Sequence, residues 1–335
     1  MRRYRLSDHG AIENLAIVEA ASPEPGPGEA VVRMRAASLN PRDLMVIIGP
    51  SPYGPRPGLT PLSDGAGEVL RVGPGVTRVR PGDRVVASFR PGWIDGPLEA
   101  AAIAGDLGGG GDGVLAEEVR LPAAALVRLP DEVGFEAAAS LPCAAVTAWR
   151  ALDAPRLPAD ATVLVQGTGG VSLFALQLAV ARGCRVIATT SSPARAARLR
   201  ALGAETVIDR TTFPDWDAQV LAATGGRGAD RIVEVGGPGT LPKSFAAAAY
   251  GGEIGLVGLL SDPMDRVSPL PVMSRMLTLR GVLVGSRADL EAVVAEVAAG
   301  RPAPVIDSVF DFDDAPAALR RLQAHEQVGK IVVRI

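Results

Sequence analysis

The stretch Ala161-Thr162-Val163-Leu164-Val165-Gln166-Gly167-Thr168-Gly169-Gly170-Val171-Ser172 decides the fold. Residues 161–166 form an apolar run of strand length, and Val171–Arg182 (VSLFALQLAVAR) is long enough to read as a buried helix. Between them lies a glycine turn. A strand that enters such a turn and leaves as a helix aims backbone N–H groups and the positive end of the helix dipole at one point. That arrangement suits a pyrophosphate. Gly167, Thr168, Gly169, Gly170 and Val171 are therefore assigned to cofactor contact. The third small position is Ser172, which still permits close packing of helix on strand.

Moving outward, apolar strands alternate with helices. Arg185–Thr190 (RVIATT), Thr206–Asp209 (TVID), Arg231–Val235 (RIVEV) and Glu253–Leu260 (EIGLVGLL) read as strands, and Pro193–Leu202 as a helix ending before Gly203. This alternation predicts βαβ units and a doubly wound parallel sheet covered on both faces. The second strand ends in Thr189-Thr190-Ser191-Ser192. No carboxylate stands there to accept from a ribose 2′-hydroxyl, and Arg195 and Arg210 follow. A missing acid with guanidinium groups nearby favours a 2′-phosphate, hence NADP(H). Ser191 and Ser192 join that site; for Arg195 and Arg210 a solvated surface role competes with phosphate binding. Ligands in such sheets lie beyond the carboxyl ends of the strands. Gly236, Val257, Gly258, Val284 and Ser286 are assigned to the nicotinamide side on that ground.

The first ~125 residues have another texture: short apolar runs such as Glu29–Ala36, Gly67–Val72 and Asp83–Ser88, punctuated by Gly, Pro and Asp. That pattern predicts a small β-barrel or sandwich. Gly105–Gly113 (GDLGGGGDG) reads as a flexible loop, either a surface linker or the mobile edge of a cleft. In the tail, Leu277–Val284, Val305–Phe310 and Lys330–Ile335 read as strands. With 335 residues the chain is long enough for about two domains. A net charge of −3 argues against nucleic acid or an anionic membrane as partner. The absence of an apolar leader or spanning segment points to the cytoplasm. Two cysteines and two histidines exclude a disulfide framework and a four-cysteine zinc site.

Several motifs together resemble the medium-chain dehydrogenase/reductase family. They are Ser38-Leu39-Asn40-Pro41-Arg42-Asp43-Leu44, Ser63-Asp64-Gly65-Ala66-Gly67-Glu68-Val69, Gly73-Pro74-Gly75-Val76 with Pro81-Gly82-Asp83-Arg84-Val85, Leu141-Pro142-Cys143 with Thr147-Ala148-Trp149, the 167–171 turn, and Gly329-Lys330. They span almost the whole chain. The resemblance implies an α/β protein: a GroES-like β-barrel catalytic domain (1–125 and 286–335) with a Rossmann NADP(H)-binding domain (126–285) inserted.

Where the family's zinc enzymes carry catalytic ligands, this sequence has Asn40, Ser63 and Cys143. One thiol cannot hold a catalytic zinc, which takes three protein ligands and an open place. No metal is therefore expected. The resemblance lies with the family's zinc-free quinone oxidoreductases and enoyl reductases, which pass hydride from NADPH to a quinone or an α,β-unsaturated carbonyl. Such acceptors spread charge onto their own oxygen, so hydrogen bonds can replace a metal. The resemblance gives Tyr53 as an enolate partner, with an exposed loop tyrosine as the alternative. It also places Asn40 and Thr147 near the nicotinamide and makes Lys330 a cofactor contact, with a solvated lysine as the alternative. Asp64 joins Tyr53 and Asn40 as a catalytic candidate. The small-molecule substrate stays open, with a metal-free alcohol dehydrogenase or a catalytically silent NADP(H)-binding protein as alternatives. The resemblance also implies a homodimer, to which the apolar strand 277–284 could contribute an edge.

Overall fold

The computed structural model describes residues 1–49, 56–103, 105–258 and 266–335, so Tyr53 lies outside the described residues. Fifteen described strands run in chain order: β1 (Arg2–Leu6), β2 (Leu15–Glu19), β3 (Glu29–Ser38), β4 (Asp64–Val72), β5 (Arg84–Ala87), β6 (Glu118–Pro122), β7 (Leu126–Arg128), β8 (Thr162–Gln166), β9 (Arg185–Thr190), β10 (Thr206–Asp209), β11 (Ala229–Glu234), β12 (Ala248–Leu256), β13 (Thr278–Gly281), β14 (Ile306–Asp311) and β15 (Lys330–Arg334). Two units share them. One is Met1–Val146 with Val284–Gly300 and Pro304–Ile335; the other is Thr147–Leu283 with Arg301–Ala303.

The first crossing falls at 146/147, where the change of sequence texture had suggested 125/126; the second, at 283/284, is close to the expected 285/286. The difference has a local cause. β7 pairs with β5, and the helix Phe135–Ala139 packs on β3 and β4, so residues 126–146 belong with the barrel strands.

In the first unit seven strands form one sheet, in the order β14-β15-β3-β4-β5-β7 with β6 also on β3. β3, buried at Ala30–Val32, Met34 and Ala36–Ser38, feeds a core that includes Val32, Met34, Leu121, Leu126, Ile331 and Val333. The β3–β4 pairing requires glycine at 67, where a Cβ would come 2.0 Å from the Arg33 carbonyl oxygen. At its carboxyl end β3 is flanked on both sides: Ser38 pairs with Val332 of β15 and with Asp64 of β4. Sequence positions 40, 64 and 330 are thereby brought to one end of one sheet.

The glycine-rich segment 105–113 is fastened rather than loose. Asp106 is fully buried and its carboxylate accepts from Arg42 Nη2 at 2.9 Å and from the Gly110 amide at 2.9 Å. Gly113 donates to the Thr60 carbonyl at 2.7 Å. A Cβ at Gly113 would meet the Leu62 carbonyl at 2.0 Å, so the glycines there serve close packing.

The second unit is a six-stranded sheet in the order β10-β9-β8-β11-β12-β13, with every neighbouring pair parallel. This is the doubly wound order, whose strand direction of travel reverses between β8 and β11. β8 is buried along its length, as its apolar run requires. β13 is an edge strand that pairs with β12, and Leu279, Leu283, Met276 and Met273 on and around it are exposed. Among the described residues no helix is long and apolar enough to cross a membrane.

Candidate active site

Asn40 ends the extended run of β3 and precedes the helix Pro41–Ile47. Proline at the first helical position fixes the turn, and Asp43 closes it by accepting the Asn40 backbone N–H at 2.8 Å. The Asn40 side chain is 3% exposed. Its Oδ1 accepts from Lys330 Nζ at 2.6 Å, and its Nδ2 donates to Ser63 Oγ at 3.4 Å. Ser63 in turn donates to Asp64 Oδ1 at 2.7 Å. The other Asp64 oxygen accepts the backbone N–H of Cys143 at 3.0 Å. Lys330 also donates to the Leu39 carbonyl at 2.5 Å and is 4% exposed. A solvated lysine, the alternative weighed from sequence, is not what the fold builds. One buried chain links Lys330, Asn40, Ser63, Asp64 and the Cys143 backbone.

Electrostatics sharpen this picture. Burial pushes the Cys143 thiol well above its ordinary range, and Asp64 adds to that shift, so the neutral thiol is favoured. Burial likewise raises Asp43, to about 7, against the opposing pull of Arg42 and the Asn40 amide. Arg42, which sequence reasoning passed over, joins this cluster beside Asp43, its neighbour in the quoted Asn40–Leu44 motif. Arg42 sits over the Phe89 ring at 4.8 Å and is tied to Asp106. Trp93 is packed structurally, with Nε1 donating to the Gly96 carbonyl at 2.9 Å.

The donor set does not fit zinc. It offers an amide, a hydroxyl and a thiol held neutral, with an ammonium bound to the first of them. Zinc sites require anionic sulfur or imidazole and carboxylate ligands. No group of three or more His, Cys, Asp or Glu residues converges among the described residues.

The second unit builds the expected passage from strand through glycine turn to helix. Gly167 adopts φ +76°, a left-handed conformation that favours glycine, and donates to the Thr189 carbonyl at 2.8 Å. Gly169 caps the helix Gly170–Ala181 with an extended backbone. Ser172 fits its place by donating to the Gln166 carbonyl at 2.6 Å, which ties the first helical turn to the end of β8. At the next strand, Ser192 caps the helix Pro193–Ala201, and its N–H is held by Thr190 Oγ1 at 3.1 Å. Ser191 and Arg210 are exposed and Arg195 is half-buried. Thr147 is buried at the start of the helix Val146–Leu152. In the first unit, Val284 takes φ +61° and Ser286 caps the helix Arg287–Ala298. Within the second unit, the strand, the turn at Gly167–Gly169 and the helix Gly170–Ala181 offer a helix N-terminus and glycines that allow close approach, the features a pyrophosphate site needs.

Glu234, which closes β11, was not expected to matter. It is fully buried. Oε1 accepts the backbone N–H groups of Gly236 (2.8 Å) and Gly237 (3.0 Å) and the Thr240 hydroxyl (2.5 Å). Oε2 accepts from Gln166 Nε2 at 2.8 Å and from the Ser244 hydroxyl. The Glu234 carbonyl receives the Val257 N–H at 2.9 Å, and a Cβ at Gly258 would meet the Val235 carbonyl at 2.4 Å. Glu234 therefore anchors the turns after β11 and β12 that were assigned to the cofactor. The signal in sequence was a lone acid inside a buried strand pattern, Arg231–Val235.

The comparisons follow from this geometry. Residues 26–131 match the model for an alcohol dehydrogenase GroES-like domain, and residues 170–299 match that for a zinc-binding dehydrogenase. A zinc-type alcohol dehydrogenase-like protein of Schizosaccharomyces pombe is 38% identical over 92% of this chain and 91% of its own length. The chain belongs to the medium-chain dehydrogenase/reductase family. The acryloyl-coenzyme A reductase of Metallosphaera sedula is 27% identical over 97% of both chains. Among solved structures, a putative alcohol dehydrogenase from Sinorhizobium meliloti superposes with a TM-score of 0.91 at 38% identity, covering 100% of this chain and 99% of the other. An NAD-dependent alcohol dehydrogenase does so at 0.90 and 34%, covering 100% of both. A mycobacterial protein complexed with NADPH gives 0.83 and 26%, again over 100% of both chains. This medium-chain dehydrogenase/reductase is thus an oxidoreductase, and its fold is that of its family.

Proposed function

We propose that this protein is an NADP(H)-dependent reductase of conjugated carbonyl compounds, a quinone, enone or enoyl compound, that works without a metal. The observation that carries the reading is the hydrogen-bonded set Asn40, Ser63, Asp64 and Lys330, which includes two of the three positions, 40 and 63, where the resemblance implies zinc ligands. Oxidation of a simple alcohol needs a Lewis acid to stabilise an alkoxide. A conjugated acceptor needs only donors at its oxygen, because the incoming electron pair moves along the conjugated system to that oxygen. When bound, the dinucleotide supplies the hydride. The chain's part is to orient the acceptor, to hold donors at its oxygen and to let a proton reach the adjacent carbon. Asn40 Nδ2 is the donor best placed for the first task, and Asp64 holds Ser63 and the Cys143 loop in position.

The NADP(H) preference rests on the residues after β9. Hydroxyl side chains stand where an NAD site carries an acid, and Arg195 and Arg210 follow. The NADPH complex of one structural relative and the thioester named for another support the cofactor and the acceptor class. A homodimer formed through the exposed edge β13 is part of the same reading. A metal-free alcohol dehydrogenase is the second reading, favoured by the names of the relatives.

The test is NADPH oxidation across quinones, enones and enoyl thioesters, with and without a chelator. Chelator-insensitive turnover of at least one class is expected. Loss of activity on chelation, or oxidation of simple alcohols with NADP⁺ and no reduction of conjugated acceptors, overturns the reading.

A further inference from the structure

The resemblance makes Lys330 a cofactor contact, but the structure turns its ammonium elsewhere. Its two hydrogen bonds go to the Leu39 carbonyl and to Asn40 Oδ1. We propose that Lys330 is a positioning residue that sets the polarity of the Asn40 amide and supplies the fixed positive charge of a metal-free site. This rests on the reading given under the proposed function.

A primary amide has one acceptor end and one donor end, and nothing in its shape tells them apart. An ammonium has donors only. Lys330 at 2.6 Å therefore fixes Oδ1 on its own side and turns the NH₂ group toward Ser63. The Ser63 contact, at 3.4 Å, is long and uses one of the two N–H groups. The amide is left with donor capacity, strengthened by the cation that polarises its carbonyl. As hydride adds to the far carbon of a conjugated acceptor, the π electrons shift to its oxygen. The polarised N–H of Asn40 and the nearby charge then stabilise that oxygen until a solvent proton is taken up at carbon. The pairing is enforced by the fold: β15 runs antiparallel to β3 with Val332 opposite Ser38, and the Leu39 N–H bonds the Ile331 carbonyl.

The same charge argues against a second cation. An ion held by side chains at 40, 63 and 143 would feel the ammonium's repulsion against the attraction of the Asp64 carboxylate, so removing the ammonium tightens the hold on it.

Two measurements test the inference. The first compares wild type with K330M and K330R for turnover of the best acceptor and for NADPH affinity by fluorescence. K330M is expected to lower kcat about 100-fold, the loss typical of an oxyanion donor, with NADPH Kd changed less than threefold and K330R recovering part of the rate. An unchanged kcat, or a Kd that rises as much as the rate falls, overturns the proposal; the latter restores Lys330 to the cofactor. The second measurement needs no turnover, so it stands even if every acceptor fails and the proposed function falls with them. Co²⁺ is titrated into N40C/S63H and N40C/S63H/K330M, read by the tetrahedral d–d and thiolate charge-transfer bands. At least tenfold tighter Co²⁺ binding is expected when Lys330 is replaced, and equal affinity overturns the inference.

Discussion

Replacing Glu234 with glutamine tests how the cofactor-side turns are held. The carboxylate receives five donors and is fully buried. Glutamine keeps the shape but offers one acceptor end. The backbone N–H groups of Gly236 and Gly237 cannot rotate away, so the new amide must turn its oxygen to them. Its NH₂ group then faces the NH₂ of Gln166, whose own oxygen is already engaged by the Val235 N–H at 3.3 Å. Ser244 can turn its hydroxyl to accept; Gln166 cannot adjust without losing a bond. Hydrogen bonds to a charged acceptor contribute roughly 1.5–3 kcal/mol against 0.5–1.5 for neutral ones, so weakening three of them costs about 3 kcal/mol. A buried donor left unpaired adds about 1–3 kcal/mol, and relief of the buried charge returns part of the total. The expected net destabilisation is about 2–4 kcal/mol. Urea denaturation of E234Q beside wild type, with tryptophan fluorescence and circular dichroism as probes, measures it. NADPH affinity should fall in parallel, because the turns after β11 and β12 lose their anchor. A change below about 0.5 kcal/mol would refute the claim that this carboxylate organises the turns.

Three further outcomes are expected. The double variant R195Q/R210Q should raise KM for NADPH by at least about tenfold while leaving KM for NADH within twofold, as loss of charge-assisted bonds to a 2′-phosphate requires; equal effects on both cofactors would remove the phosphate role. Asp43 is raised to about 7, above its unfolded value near 3.9, so between those values the folded state alone holds the proton and stability falls as pH rises. D43N should therefore lose about 3 kcal/mol less than wild type between pH 4 and pH 7.5 in denaturant titrations, and identical slopes would show that Asp43 does not titrate in that window. L279K, on the exposed edge strand β13, should shift the mass measured by light scattering from dimer to monomer without lowering helix content; an unchanged mass places any interface elsewhere.

Both fold textures were legible because their signals are local. A buried strand, a glycine turn and a helix follow one another within 161–182, and the periodicities of 2 and 3.6 differ wherever a face is buried. The glycine turn could be read for the same reason: its residues are contiguous. The reading of 105–113 as loose failed because glycine marks close packing as readily as freedom, and only the neighbours at Leu62 and Thr60 distinguish the two. The domain boundary slipped by about twenty residues because a helix and a short strand carry no label for the sheet they join.

By itself the sequence determined the family, the two-domain plan, the glycine turn between strand and helix, and which residues stand at positions 40 and 63. Only the tertiary structure decided what surrounds those two residues. The partner of Asn40 is 290 residues away along the chain, brought to it by the pairing of β15 with β3, and the carboxylate that backs Ser63 enters from β4 on the other side. Hydrogen bonds are made between neighbours in space, and a strand register set by the packing of a whole core is what makes those residues neighbours.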